Sequence, residues 1–278
     1  MSKNNHFRSI SLPTTFHPIS TQFDEQLSRL ISSKNTTTSC SSLTQSLITL
    51  IGLYDCVDEL LLRPANQQII SKNSQEKWVD DILEGSWKLL DVCDVARDAL
   101  FSMKECLQGV ESTLRRSNGD ISEYVKSRQK VKKGITRFLK NIRKNRRIDR
   151  RSDSLDSVFL NVDVITTDVF TGLLGHIAGT KSESSKSNMS LIVRLVRQFS
   201  DIDKAGCCTE FRDIDVQLRY LICQKKSSIN RFNRTRVEKI RCKIIKLESE
   251  IEELCEELEC LFRHLVKTRA TLLNLLSN

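Results

Sequence analysis

Apolar side chains recur at alternating spacings of three and four through the C-terminal segment: Val237, Ile240, Ile244, Leu247, Ile251, Leu254, Leu258, Leu261, Leu265, Leu272 and Leu275. Thr268 occupies the same series as its polar member. A recurrence of about 3.5 residues keeps one narrow stripe facing a partner helix, which predicts a coiled-coil-like helix about 58 Å long at ~1.5 Å per residue. An intramolecular bundle and a homodimer would use the same stripe. Its central members, Ile240, Ile244, Leu247, Ile251, Leu254, Leu258, Leu261 and Leu265, are the expected helix-packing surface.

The same periodicity predicts helices along most of the chain. Phe23, Leu27, Leu30 and Ile31 share one face of a short helix, followed by a polar linker over residues 32–42. Leu43, Leu47, Leu50, Tyr54, Val57 and Leu61 mark a second helix, stopped near Arg63 because Pro64 disfavours the α conformation in the residue before it. A long helix is expected from Asn73, with Asn73 and Glu76 as a capping pair. Its stripe is Trp78, Ile82, Leu89, Ala96, Leu100, Met103, Leu107, Val110 and Leu114, joined by Gly85 and Cys93, and it ends at Asn118 and Gly119. Asp120 and Glu123 then open a helix buried through Tyr124, Val131, Ile135, Phe138 and Ile142. Weaker helical patterns follow over residues 155–173, 189–199 and 209–223.

Nine glycines and three prolines are too few for the turns that many short strands need. The expected fold is all-α: an elongated antiparallel helical bundle over residues 20–278, one domain, behind a flexible tail over residues 1–19. Ten cysteines lie mostly within helical patterns, as at Cys93, Cys106, Cys242 and Cys260, where they act as small apolar groups. No secretory pattern precedes them, so an intracellular location, cytoplasmic or nuclear, is expected, with a plastid as the alternative. No transmembrane segment is expected. Residues 158–178 are apolar, but Asn161, Asp163 and Asp168 interrupt them, and an acid at mid-bilayer costs about 2.5–3.5 kcal/mol.

The net charge of +9 is unevenly distributed. Residues 126–151 hold thirteen cations against the single acid Asp149, so the rest of the chain sums to 9 − 12 = −3. Lys130, Lys132, Lys133, Arg143, Lys144, Arg146 and Arg147 form a basic patch suited to nucleic acid, an anionic membrane or nuclear import. Glu248, Glu250, Glu252, Glu253, Glu256, Glu257 and Glu259 form an opposing acidic block, which predicts that the two helices could lie side by side.

Chemistry is harder to find. Cys260 and His264, with Glu256 a turn earlier, offer too few ligands for a closed metal site, so no metal or cofactor is expected. Gly172, Gly175 and Gly179 lack the lysine and preceding strand of a phosphate loop. Asp80, Glu84, Asp91, Asp94 and Asp98 read as a solvated face, and Trp78 and Trp87 as core or interface anchors. No nucleophile, base and orienter can be assembled, so the protein is expected not to be an enzyme. Arg8, Ser11 and Pro13 match the pattern that 14-3-3 proteins read once the serine is phosphorylated.

The stretches FRSISLPTTFHPIS, LYDCVDELLLRPANQQII, KWVDDILEGSWKLLDVCDVARDALFSMKECLQGVESTLRR, SRQKVKKGITRFLKNIRK and ELECLFRHLVKTRATLLNLLSN together resemble the plant BPS1-like family, a domain of unknown function. The resemblance implies an all-helical plant protein linked to root and shoot development, with no catalytic residues to carry over. The expected function is therefore that of a non-enzymatic regulatory or adaptor protein acting through helix contacts with protein partners. Binding of nucleic acid or anionic membrane by the basic helix is the alternative.

Overall fold

The computed structural model describes residues 18–33, 39–116, 121–142, 155–179, 209–224 and 230–277. Among these there are eight helices and no strand, so the fold is all-α. They are α1 (Pro18–Ser33), α2 (Cys40–Leu62), α3 (Pro64–Lys72), α4 (Lys77–Arg115), α5 (Ser122–Ile142), α6 (Leu155–Ala178), α7 (Glu210–Gln224) and α8 (Asn230–Ser277).

Three boundaries differ from those expected. Helix α2 starts inside the polar stretch, at Cys40, because Ser39 and Ser42 form a reciprocal serine capping box. Asn73 does not open α4. It closes α3, its amide side chain donating to the Ile69 carbonyl, and α4 starts after Glu76 with no side-chain cap. A polar residue between two helices can cap either end, and here the short α3, begun by Pro64, claims it. The anticipated tail also ends earlier, since α1 begins at Pro18.

Ion pairs and hydrogen bonds fix the directions of the helices. Pairing of Arg97 with Glu259 (3.1 Å), Lys104 with Glu252 (2.8 Å) and Arg241 with Glu111 (3.4 Å) sets α4 antiparallel to α8. Thr268 bonds to Asp58 at 2.7 Å, and Cys40 lies beside Glu250, so α2 runs parallel to α8. Tyr54 meets Thr166 and Cys40 meets His176, which makes α6 antiparallel to α2. These four helices touch in a closed ring, α2 to α8 to α4 to α6 and back. Helix α5 packs on α4 and α6 as the returning crossover, and α1 packs on α2.

From Ile240 to Leu272 the C-terminal stripe is buried against its neighbours, while Val237 and Leu275 at its ends are partly buried. Ile240, Ile244, Ile251, Leu254, Leu258 and Leu261 are fully buried, with Leu247, Leu265, Thr268 and Leu272 nearly so. Each fully buried aliphatic side chain contributes about 1.5–3 kcal/mol relative to exposure. The seam thus closes on α2 and α4 of its own chain.

Helix α2 stops short of the N-terminal part of α8, and α7 takes its place there. Lys243 pairs with Asp213 at 2.6 Å and Arg236 stacks over Tyr220, so α7 is antiparallel to α8. Helix α6 is long and apolar enough to cross a membrane by composition, yet Phe159, Val162, Ile165, Phe170, Leu173, Leu174 and Ile177 pack into the core. Ile31, expected inside, is exposed, while Phe23 and Leu30 anchor α1.

Candidate functional site

Among the described residues, three polar clusters lie between the helices. The largest surrounds Asp215 of α7. Tyr124 donates to its Oδ1 at 2.7 Å, Arg128 Nε donates to both oxygens at 3.1 Å, and Lys132 Nζ donates to Oδ2 at 2.6 Å. Arg128 also lies over the Phe211 ring and donates to Met103 Sδ. Burial pushes the Asp215 carboxyl up, but the Arg128 and Lys132 charges and hydrogen bonds outweigh it and hold it below its ordinary value. Burial lowers the Lys132 ammonium, with the Arg128 charge adding to the effect. Burial beside Asp215 drives the Tyr124 phenol far up. Lys132 and Arg128 are therefore internal ion-pair members, and the expected basic surface is smaller than the charge count implied.

The second cluster forms where three helices end. Cys40 opens α2, His176 lies in the last turn of α6 and Glu210 opens α7. Cys40 Sγ is 3.5 Å from His176 Nε2, which is 2.9 Å from Glu210 Oε2, and the Cys40 amide donates to Glu210 Oε1 at 3.3 Å. Phe211 meets the imidazole edge-on. Gly179 closes α6 in the left-handed conformation (φ 70°), its amide donating to the His176 carbonyl. Burial and the nearby Glu210 and Glu250 raise the Cys40 thiol well above its ordinary value. Burial also pushes the Glu210 carboxyl up, but His176 and the amides of Glu210 and Cys40 outweigh it and lower it. These three side chains could hold a metal ion. As a Cys-His-Glu nucleophile set they fare worse, because Cys40 and His176 are buried and the thiol is held protonated.

The third cluster explains the polar member of the seam. Thr268 donates to the buried Asp58, whose second oxygen pairs with Lys267 at 2.9 Å. His264 turns toward Asp55 and Asp58 rather than facing solvent, and it joins no metal-ligand group with Cys260 or Glu256.

On the outside, Lys126, Lys130, Lys133 and Arg137 line an open groove between α4 and α5. Arg143, Lys144, Arg146 and Arg147 lie outside the described residues, as do Arg8, Ser11 and Pro13 and the helix expected over residues 189–199. Among the described residues, no ion pair joins the α5 cations to the Glu248–Glu259 block. That block pairs with Arg97 and Lys104 of α4 instead, because α4 lies against α8 whereas α5 packs on α4 and α6. The acidic face at Asp80, Glu84, Asp91, Asp94 and Asp98 is solvent-exposed as expected. Trp87 is exposed with Arg269 over its ring, Trp78 is half-buried, and Cys242 faces solvent instead of packing.

The ring of long helices with its buried polar clusters defines a helical-bundle protein. The chain belongs to the BPS1 family: the family model described as Protein BPS1 matches residues 46–275, from the second turn of α2 to the last turn of α8. No curated protein and no solved structure matches it.

Proposed function

We infer that the protein is a non-enzymatic regulatory or adaptor protein of plant development, working through contacts between its helical surface and protein partners. The outer face of α4 carries this reading. Trp87 and Phe101 are 57% and 61% exposed, two heptads apart, with Asp91, Asp94 and Asp98 in the same stripe. Exposed aromatics among acids suit a partner with a basic, amphipathic segment, and aromatic side chains are the usual anchors of such interfaces. Family membership supports the developmental role. The N-terminal tail would add a switch, with phosphorylated Ser11, flanked by Arg8 and Pro13, docking a 14-3-3 protein.

Proximity labelling in plant tissue, with wild type compared to Trp87→Ala/Phe101→Ala, tests the reading. A partner set lost in the double variant supports it, and an unchanged set overturns it. Leu254 and Leu258 are unsuitable for this test because they are core residues. A phosphopeptide spanning residues 2–20 that fails to bind 14-3-3 protein removes the switch.

A second reading is favoured by the exposed stripe of Lys126, Lys130, Lys133 and Arg137, spaced to lie on one face of α5. Such a stripe can neutralise phosphates of nucleic acid or an anionic membrane. Salt-dependent binding to duplex DNA, RNA or acidic vesicles, abolished by Lys130→Glu/Lys133→Glu/Arg137→Glu, supports it.

A further inference from the structure

We propose that Cys40, His176 and Glu210 form a zinc site that ties α2, α6 and α7 together at their shared junction. The donor set is one that zinc takes: a thiolate, an imidazole nitrogen and carboxylate oxygens. Tetrahedral zinc with Zn–S of ~2.3 Å and Zn–N of ~2.0–2.1 Å places sulfur and nitrogen about 3.5 Å apart. Cys40 Sγ and His176 Nε2 are separated by 3.5 Å. Glu210 Oε2 and His176 Nε2, at 2.9 Å, would need to part by about 0.4 Å to reach the corresponding tetrahedral edge.

The Glu210 carboxylate is held through one oxygen, Oε1, which accepts from the Cys40 amide. Its buried Oε2 meets no hydrogen-bond donor in good geometry, although His176 Nε2 lies 2.9 Å away. Contacts of the first kind are what orient metal ligands, and orphaned oxygens of the second kind are what a cation would satisfy.

Charge also balances. Zinc binding releases the Cys40 thiol proton to solvent, leaving a thiolate and one carboxylate, two negative charges, against two on the ion. Cys40 and His176 are buried, which sets the site inside the helix junction rather than in an open cleft. The inference goes beyond the adaptor reading and stands whether or not that reading holds.

The test uses the full chain purified from zinc-supplemented cells. Elemental analysis should find about one zinc per chain, and cobalt substitution should give a thiolate-to-cobalt charge-transfer band. That band should vanish in Cys40→Ser and persist in Cys242→Ser/Cys260→Ser, which removes two thiols outside the cluster. Should Cys40→Ser fail to fold, Glu210→Gln keeps the thiol and should weaken zinc in a chelator competition by at least about tenfold. Folded wild type that holds no zinc and shows no cobalt band overturns the proposal. So does a band that survives Cys40→Ser, or an affinity unchanged in Glu210→Gln.

Discussion

The two ends of α8 are built on different physics. From Ile251 to Leu272 its inward face is apolar apart from Thr268, and it packs against α2 and α4. Toward its N-terminus the neighbour changes from α2 to α7, a helix whose other contacts hold the Asp215 cluster with α5 and the group around Cys40. The first region is stabilised by area removed from water, which is non-directional and additive to a first approximation. The second contains buried charges whose desolvation is offset only while every partner stays in place. The polar layer stands where α2 begins, α6 ends and α7 begins, so it specifies a junction that the apolar stripe, continuous through α8, does not mark.

The comparison breaks most visibly at Asp215. Asp215→Ala leaves Arg128 buried without its anion and is expected to lower unfolding free energy by about 3–5 kcal/mol, read as a lower urea midpoint. Replacing the whole group with apolar side chains of similar volume should be neutral or stabilising by about 1–4 kcal/mol. The single change thus tests completeness, and the multiple change tests charge itself. Acid should act in the same sense. The folded Asp215 carboxyl is held below its ordinary value, so the unfolded chain takes up the proton first as pH falls. Its stabilisation is complete above the ordinary aspartate value and drains away as pH drops through the lower folded one. The urea-midpoint gap between wild type and Asp215→Ala should therefore narrow at acidic pH.

In the apolar region the expected loss has another origin. Leu258→Ala removes a fully buried side chain between α2 and α4 and should cost about 2–5 kcal/mol through lost transfer energy and a residual cavity. That loss should show no comparable acid dependence, because no titratable group is exchanged. Equal pH dependence in the two variants would erase the distinction between the regions.

Smaller still is the effect expected at the polar member of the seam. Thr268→Val keeps the shape but removes the hydrogen bond to Asp58, and bonds to charged groups contribute about 1.5–3 kcal/mol. Lys267 remains paired with the carboxylate, so the loss of unfolding free energy should sit at the lower end of that range, read as a lower thermal midpoint.

The apolar region was legible because periodicity is a local property: Leu43 to Leu61 and Ile240 to Leu265 can be placed inward from spacing alone. The buried clusters join residues remote in sequence, and no motif links Cys40 to His176 and Glu210. Yet a trace of them exists. Arg128 follows Tyr124 by four and precedes Ile135 by seven, and Asp215 falls between Phe211 and Leu218 at the same helical spacings. A charge at a core position needs a buried counter-charge, which ties α5 to α7 before any coordinates are known. Counting the α5 cations as surface overlooked this. The shifted start of α4 has a different cause, since Asn73 offers the same capping chemistry to the helix before it and the helix after it.

The least effect is expected where the α4 and α8 charges meet in water. Arg97 and Glu259 pair at 3.1 Å with side chains 41% and 39% exposed, and their attraction is screened by solvent and salt. Glu259→Gln should change stability by only about 0.2–1 kcal/mol, with the difference shrinking further at high salt. Arg97 also lies over the Phe262 ring, a contact that the substitution leaves intact. If Glu259→Gln destabilised the chain as much as Asp215→Ala, burial would not be what separates the internal charge cluster from the surface ladder. The division of α8 into a dry region and a charge-locked region would then lose its physical basis.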